Sequence, residues 1–140
     1  MSFSAIKKTL IKAYVDGGFN LPTAYDNRSF EPKGGGPWAQ VFIINNMPEV
    51  ATLGDHGENE HTGFLQIDIN YPINSGDGDA LEKADEITHY FHIGKRFNLD
   101  DQSIFINSSG VNRPSNQPAE WYRLVITVYW SARTKRIKHG

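Results

Sequence analysis

The sequence predicts an α+β fold in which two helices pack on one face of a mixed or antiparallel sheet of about five strands. Three stretches predict it. Residues 62–71 alternate, with Leu65, Ile67, Ile69 and Tyr71 on one side and Gln66, Asp68 and Asn70 on the other, the period-2 pattern of a half-buried strand. After a turn at residues 72–79, Leu81, Ala84, Ile87 and Phe91 recur at three- and four-residue spacing, a single helical stripe. Residues 121–132 alternate again: Tyr122, Leu124, Ile126, Val128, Trp130 and Ala132 on one side, and Trp121, Arg123, Val125, Thr127, Tyr129 and Ser131 on the other.

Taken in order, Ser2 or Ser4 can cap a first helix whose apolar stripe is Phe3, Ile6, Leu10, Ala13 and Tyr14, and Gly17-Gly18 ends it. Residues 19–25 read as a short strand, with Pro22 pointing to an edge or a strand start. A loop rich in turn formers follows at 26–37. Residues 38–45 are apolar on both faces and read as an inner strand. Residues 46–61 carry Pro48, Gly54, Gly57 and several acidic side chains, and read as a long exposed connection that orders on a partner. Asp79 is expected to cap the second helix at Ala80, and Gly94 to follow it as a stop. Residues 103–107 make a strand, 108–118 a polar connection, and the 121–132 strand closes the chain before a basic tail. With no internal repeat, 1–140 reads as one domain.

Composition narrows the function. The net charge is −2, from 14 basic and 16 acidic residues, which gives no field to recruit nucleic acid or an anionic membrane. With no cysteine there is neither a disulfide framework nor a zinc–thiolate site. The N-terminus lacks the layout of a signal peptide, and no apolar run reaches the roughly 18 residues of a membrane span. A protein made and kept in the cytosol is expected.

The densest set of possible metal ligands is Asp55-His56-Gly57-Glu58-Asn59-Glu60-His61, but it has two glycine neighbours and no helical frame to fix ligand spacing. His89 and His92 lie three apart and read as surface histidines. Gly76-Asp-Gly-Asp79 lacks the later ligands of a calcium loop. The glycines at 34–36 precede a strand rather than a helix N-terminus, so they do not make a phosphate cradle. No serine sits in a nucleophile elbow. No cofactor, metal or catalytic group is expected. The outer side of the last strand, by contrast, carries Trp121, Arg123, Val125 and Tyr129, too apolar for an ordinary wet face and suited to burial against another subunit.

Together, Ser4-Ala-Ile, Pro22-Thr-Ala-Tyr-Asp-Asn27, Phe30-Glu-Pro32, Trp38-Ala39, Thr52-Leu-Gly54, Gly63-Phe-Leu-Gln-Ile-Asp68, Gly76-Asp-Gly78, Ala84-Asp85, Phe91 and Trp121-Tyr122 resemble, in order and spacing, the phage tail terminator-like proteins. That group includes minor tail protein U of lambda-type phages and short prophage relatives. The resemblance implies an α+β subunit without enzymatic activity that assembles as a homo-oligomeric ring, usually of six. Such a ring sits on the tail tube, stops its polymerisation and presents its other face to the head–tail connector. It also implies a place in the host cytoplasm during assembly and at the head–tail junction of the virion, with no membrane and no specific nucleic-acid partner. Expected contact residues for subunit or tube are Asp55, His56, Glu58, Glu60, His61, Trp121, Arg123, Val125 and Tyr129. Relatives often place a basic residue just before the glycine matching Gly63; here Glu58, Glu60 and His61 precede it, so a basic ring lining is not implied at this point. The alternatives are another ring-forming connector or tail-completion protein and, more remotely, a small metal-dependent enzyme using His56 and His61.

Overall fold

The computed structural model describes residues 3–25, 30, 35–46, 49–50, 58–74, 76–100, 102–118 and 120–135. The elements run α1 (Phe3–Asp16), β1 (Thr23–Tyr25), β2 (Trp38–Asn45), β3 (Glu49–Val50), β4 (Glu58–Pro72), α2 (Gly78–Tyr90), β5 (Arg96–Leu99), β6 (Gln102–Asn112) and β7 (Trp121–Lys135). Two helices and a mixed sheet curled into a half-barrel confirm the α+β class. Six strands rather than about five follow one another in the order β1-β2-β4-β7-β6-β5, and the two-residue β3 pairs with β4 beside them.

The frame of the sheet is the antiparallel pair of β4 and β7, in register from Glu58 opposite Lys135 to Pro72 opposite Trp121. Their alternation decides the layers. Leu65, Ile67 and Ile69 of β4 and Leu124, Ile126, Val128 and Trp130 of β7 are buried under the helices. On the helices, α1 contributes Ile6, Leu10, Ala13 and Tyr14 to the same core, and α2 contributes Ala80, Ala84 and Ile87. An α-helix that repeats apolar groups every three or four residues can cover such a face while its other sides stay in water. Lys7, Lys8 and Lys12 are accordingly half-buried or exposed, and the Lys12–Asp16 ion pair at 2.6 Å is a surface pair of small energetic weight.

The two helices are locked together near the end of α1. Tyr90 Oη donates to the Ala13 carbonyl at 2.8 Å, and Lys83 Nζ donates to the Phe19 carbonyl at 2.7 Å. Phe19 lies with its ring centroid 5.4 Å from Tyr14, 5.5 Å from Tyr90 and 6.3 Å from Phe91, a cluster of the tilted and edge-on geometries that aromatic quadrupoles favour. The chain reaches Phe19 through Gly18, whose φ of 64° is the left-handed turn that glycine takes freely after a helix.

Several local expectations are corrected. Ser4 lies inside α1 rather than ahead of it, and Ser2 lies outside the described residues. Only 23–25 of the expected 19–25 strand forms, because Phe19 turns into the core instead. The cap of α2 is Asp77 without a side-chain cap bond, and Asp79 stands in the first turn, where its charge still suits the positive end of the helix dipole. Ala80 takes the buried place expected for Leu81, which is 43% exposed. The helix ends at Tyr90 with Phe91 as cap, before Gly94.

The sheet also takes residues assigned to loops or to no element. Residues 49–50 and 58–61 of the expected 46–61 connection are strand, while 47–48 and 51–57 lie outside the described residues. Residues 96–99 form β5, and β6 runs to Asn112, five residues beyond its expected end at 107. In each case a partner strand satisfies backbone groups in a segment whose own composition favours turns, which is a tertiary effect.

Candidate functional site

The face of the sheet turned away from the helices is built in cross-strand rows. Ile44, Phe64, Tyr129 and Ser108 form one row; Phe42, Gln66, Thr127 and Gly110 the next; Gln40, Asp68, Val125 and Asn112 a third; and Trp38, Asn70 and Arg123 a fourth. The antiparallel register makes them neighbours, since residues directly opposite share a face. Phe64 and Tyr129 have their ring centroids 6.0 Å apart. Tyr129 is 50% exposed, and Ile44 and Phe105 each 38%, so the upper half of this face presents apolar groups to solvent.

Charge is distributed unevenly between the two sides of the molecule. The helices carry Lys7, Lys8, Lys12, Asp79, Glu82, Lys83, Asp85 and Glu86. In the four rows of the sheet face, the only charged side chains are Asp68 and Arg123. Above these rows Glu60 and Arg96 stand beside Phe105, the Arg96 guanidinium 4.3 Å from its ring centroid. Rows that are apolar and amide-rich, with few charges, make a surface suited to another protein.

The lower rows are closed by the subunit itself. Trp121 meets Trp38 edge-on at 6.0 Å, and Phe30 stacks on Trp38 at 5.4 Å. Arg123 Nε donates to Asn70 Oδ1 at 2.7 Å. Gln117 clamps the Arg123 backbone, its Oε1 accepting from the Arg123 N–H at 2.6 Å and its Nε2 donating to the Arg123 carbonyl at 3.0 Å. Arg123 is therefore a tied structural residue as well as a surface one.

Asp68, which the alternation placed on a wet face, is buried and accepts from Gln66 Nε2 at 2.9 Å. Burial raises its pKa above the usual 3.8, against the opposing pull of the Gln66 bond and the Arg123 charge. A carboxyl whose folded pKa is raised favours folding fully below its unfolded pKa, and loses that contribution as pH climbs through the folded value. Asp68→Asn is therefore expected to gain stability relative to the parent as pH rises from below 3.8 to 7. Urea unfolding of both proteins across that range checks this; a difference that is flat, or that moves against the variant, would show that Arg123 outweighs burial.

The other expected contact residues are dispersed. Asp55 and His56 lie outside the described residues, and Glu58 is the first residue of β4. Glu60 lines an open groove of about 590 Å³ together with Ile93, Phe105 and Ser131. His61 pairs opposite Ala132 on the helix side and is 8% exposed, with burial holding its pKa below the usual value. Trp121, Arg123, Val125 and Tyr129 do share the outward face. Among the described residues no group of three or more His, Cys, Asp or Glu is placed to hold a metal ion, and no helix is long and apolar enough to cross a membrane. Ile44, Phe64 and Phe105 were missed as contact candidates, although Phe64 has the same parity as Gln66 and was legible as an outward aromatic.

The family model described as phage tail terminator protein matches residues 3–130. The chain belongs to the phage tail terminator family. Membership supports a structural role in the phage tail. A solved structure with 18% sequence identity superposes with a TM-score of 0.75, covering 100% of this chain and 99% of the other, and shares the fold. A search of curated proteins gave no match.

Proposed function

We propose that this chain ends tail-tube growth by assembling as a ring, of six copies as the resemblance to terminators implies, on the last layer of the tube and offering the opposite ring face to the head–tail connector. The observation that carries the reading is the outward row of Ile44, Phe64 and Tyr129, which holds no charged side chain. Burying such a face contributes about 25 cal/mol for each Å² of apolar surface removed from water, which favours stable subunit contacts. A repeated contact between two different patches closes into a ring when the rotation per step allows it.

The test is a double variant, Val125→Lys with Tyr129→Lys. Both side chains lie on the outer face, so the variant is expected to fold like the parent by circular dichroism. Desolvating two unpaired ammonium groups is expected to weaken assembly at least tenfold, read by native mass spectrometry and by the length of tubes polymerised with the protein present. A variant that assembles and caps tubes like the parent, or a parent that leaves tube length unchanged, would overturn the reading. The tube-length measurement also separates a terminator from a connector, which would form rings without limiting the tube.

A further inference from the structure

β6 has an edge that the described residues leave open. β5 accompanies it only as far as Phe105, and Ile106 is then held by Gly94 N–H and the Lys95 carbonyl, both bonds at 2.8 Å. After a bulge at residue 107 the strand pairs with β7 along 108–112 on one side, and among the described residues no strand lies on the other. Natural sheet edges are commonly guarded by lysine, proline or inward charges. This one reads Asn-Ser-Ser-Gly-Val-Asn, with no lysine, proline or charge, and its one edge device is the bulge between Ile106 and Ser108.

Gly110 adds an independent observation. It sits inside a strand without a positive φ, and a Cβ built on it meets nothing within 4 Å. Among the described residues neither torsion nor packing calls for glycine there, although glycine in a strand costs about 0.5–1 kcal/mol relative to alanine. Strand glycines mark bulges, bends or places where another backbone comes close, and an edge glycine can be covered by a cross-strand aromatic.

The opposite side of the sheet offers a matching run. β1 accompanies β2 only to Val41, and among the described residues no strand flanks residues 42–45 on that side. Successive antiparallel pairings of β2, β4, β7 and β6 make this run antiparallel to the open edge of β6. The two runs also lie in the same rows: Phe42 is in the row of Gly110, and Ile44 in that of Ser108.

We infer that a second copy of the chain joins the sheet along residues 107–112, its residues 42–45 pairing antiparallel with that edge and its Phe42 lying over Gly110. The contact uses a different patch on each copy, so it repeats around a ring and continues one sheet from subunit to subunit. This rests on the ring reading above and names the surface that closes the ring.

The absence of cysteine makes the test direct. A chain carrying both Ile44→Cys and Ser108→Cys is expected to give, under mild oxidation of assembled protein, a ladder of disulfide-linked species ending at the full ring. An equal mixture of the two single variants should stop at dimers. Gly110→Lys is expected to melt like the parent but to assemble at least tenfold more weakly. Rings that form without the 44–108 crosslink, or a Ser108→Cys single variant that crosslinks to itself, would overturn the edge pairing and leave the terminator reading standing. A parent that stays monomeric even with tail tube would overturn both.

Discussion

Gly63→Val is expected to lose on the order of 4 kcal/mol or more of stability and to unfold the chain under conditions where the parent is folded. Gly63 lies on the helix side of β4, between Asn45 of β2 and Trp130 of β7. A Cβ built there overlaps the carbonyl oxygen of Ile44 and comes within 2.7 Å of Trp130 Cζ2. The indole is fully buried and needs the space that glycine leaves. A side chain could move the indole only by forcing it into packed core, and could relieve the Ile44 oxygen only by pushing β2 out of register with β4. Gly63→Ala combined with Trp130→Phe should therefore recover only part of the loss, since the clash with backbone remains. Urea unfolding measures both variants. A Gly63→Val protein melting within a few degrees of the parent would show that β2 does not lie this close to β4.

Phe91→Ala is expected to cost about 3–5 kcal/mol and to lower the melting temperature by roughly 10–20 °C. Phe91 is the C-terminal cap residue of α2, and its own N–H donates to the Ile87 carbonyl at 3.0 Å. Its ring is fully buried, 4.9 Å from Tyr90, 5.5 Å from Phe97 and 6.3 Å from Phe19. Removing it leaves a cavity where α2, the chain after α1 and β5 meet. The cost is expected to be felt in all three, because the Tyr90 bond to Ala13 and the Lys83 bond to Phe19 depend on the same packing. Differential scanning calorimetry reads the shift; a change below about 1 kcal/mol would mean that the neighbouring rings collapse into the space.

Much of the subunit was legible from periodicity. Leu65, Ile67 and Ile69 were assigned to the core by alternation, as were Leu124, Ile126, Val128 and Trp130, and all are buried. The stripe of α1 was read in the same way, and Phe91 was placed on that of α2. The outward position of Arg123, Val125 and Tyr129 follows from the same parity. These signals are local: a residue's side of a strand or helix is set by the geometry of the backbone it belongs to.

The extent of the sheet was not legible. Residues 108–112 carry Ser, Gly and Asn and read as a connection, and 96–99 were assigned to no element, yet both pair as strands because β7 and β6 supply partners for their backbone groups. The burial of Asp68 and Asn70 is decided by chain distant in sequence, with Trp38, Trp121 and Gln117 gathered at that end of the face. The reason for Gly63 is likewise a packing fact, since only the approach of β2 and Trp130 shows what a side chain would hit.

The sequence by itself determined the α+β class, the two helical stripes, the inward and outward sides of the two long strands and, through ordered resemblance, the family. Only the tertiary structure decided which strands are neighbours, which outward side chains remain uncovered and where the sheet stops pairing. The physical reason is the difference in range. Side-chain direction repeats every 2 or 3.6 residues along the chain, whereas strand partnership and burial depend on segments tens of residues apart, such as Phe64 and Tyr129, meeting in space.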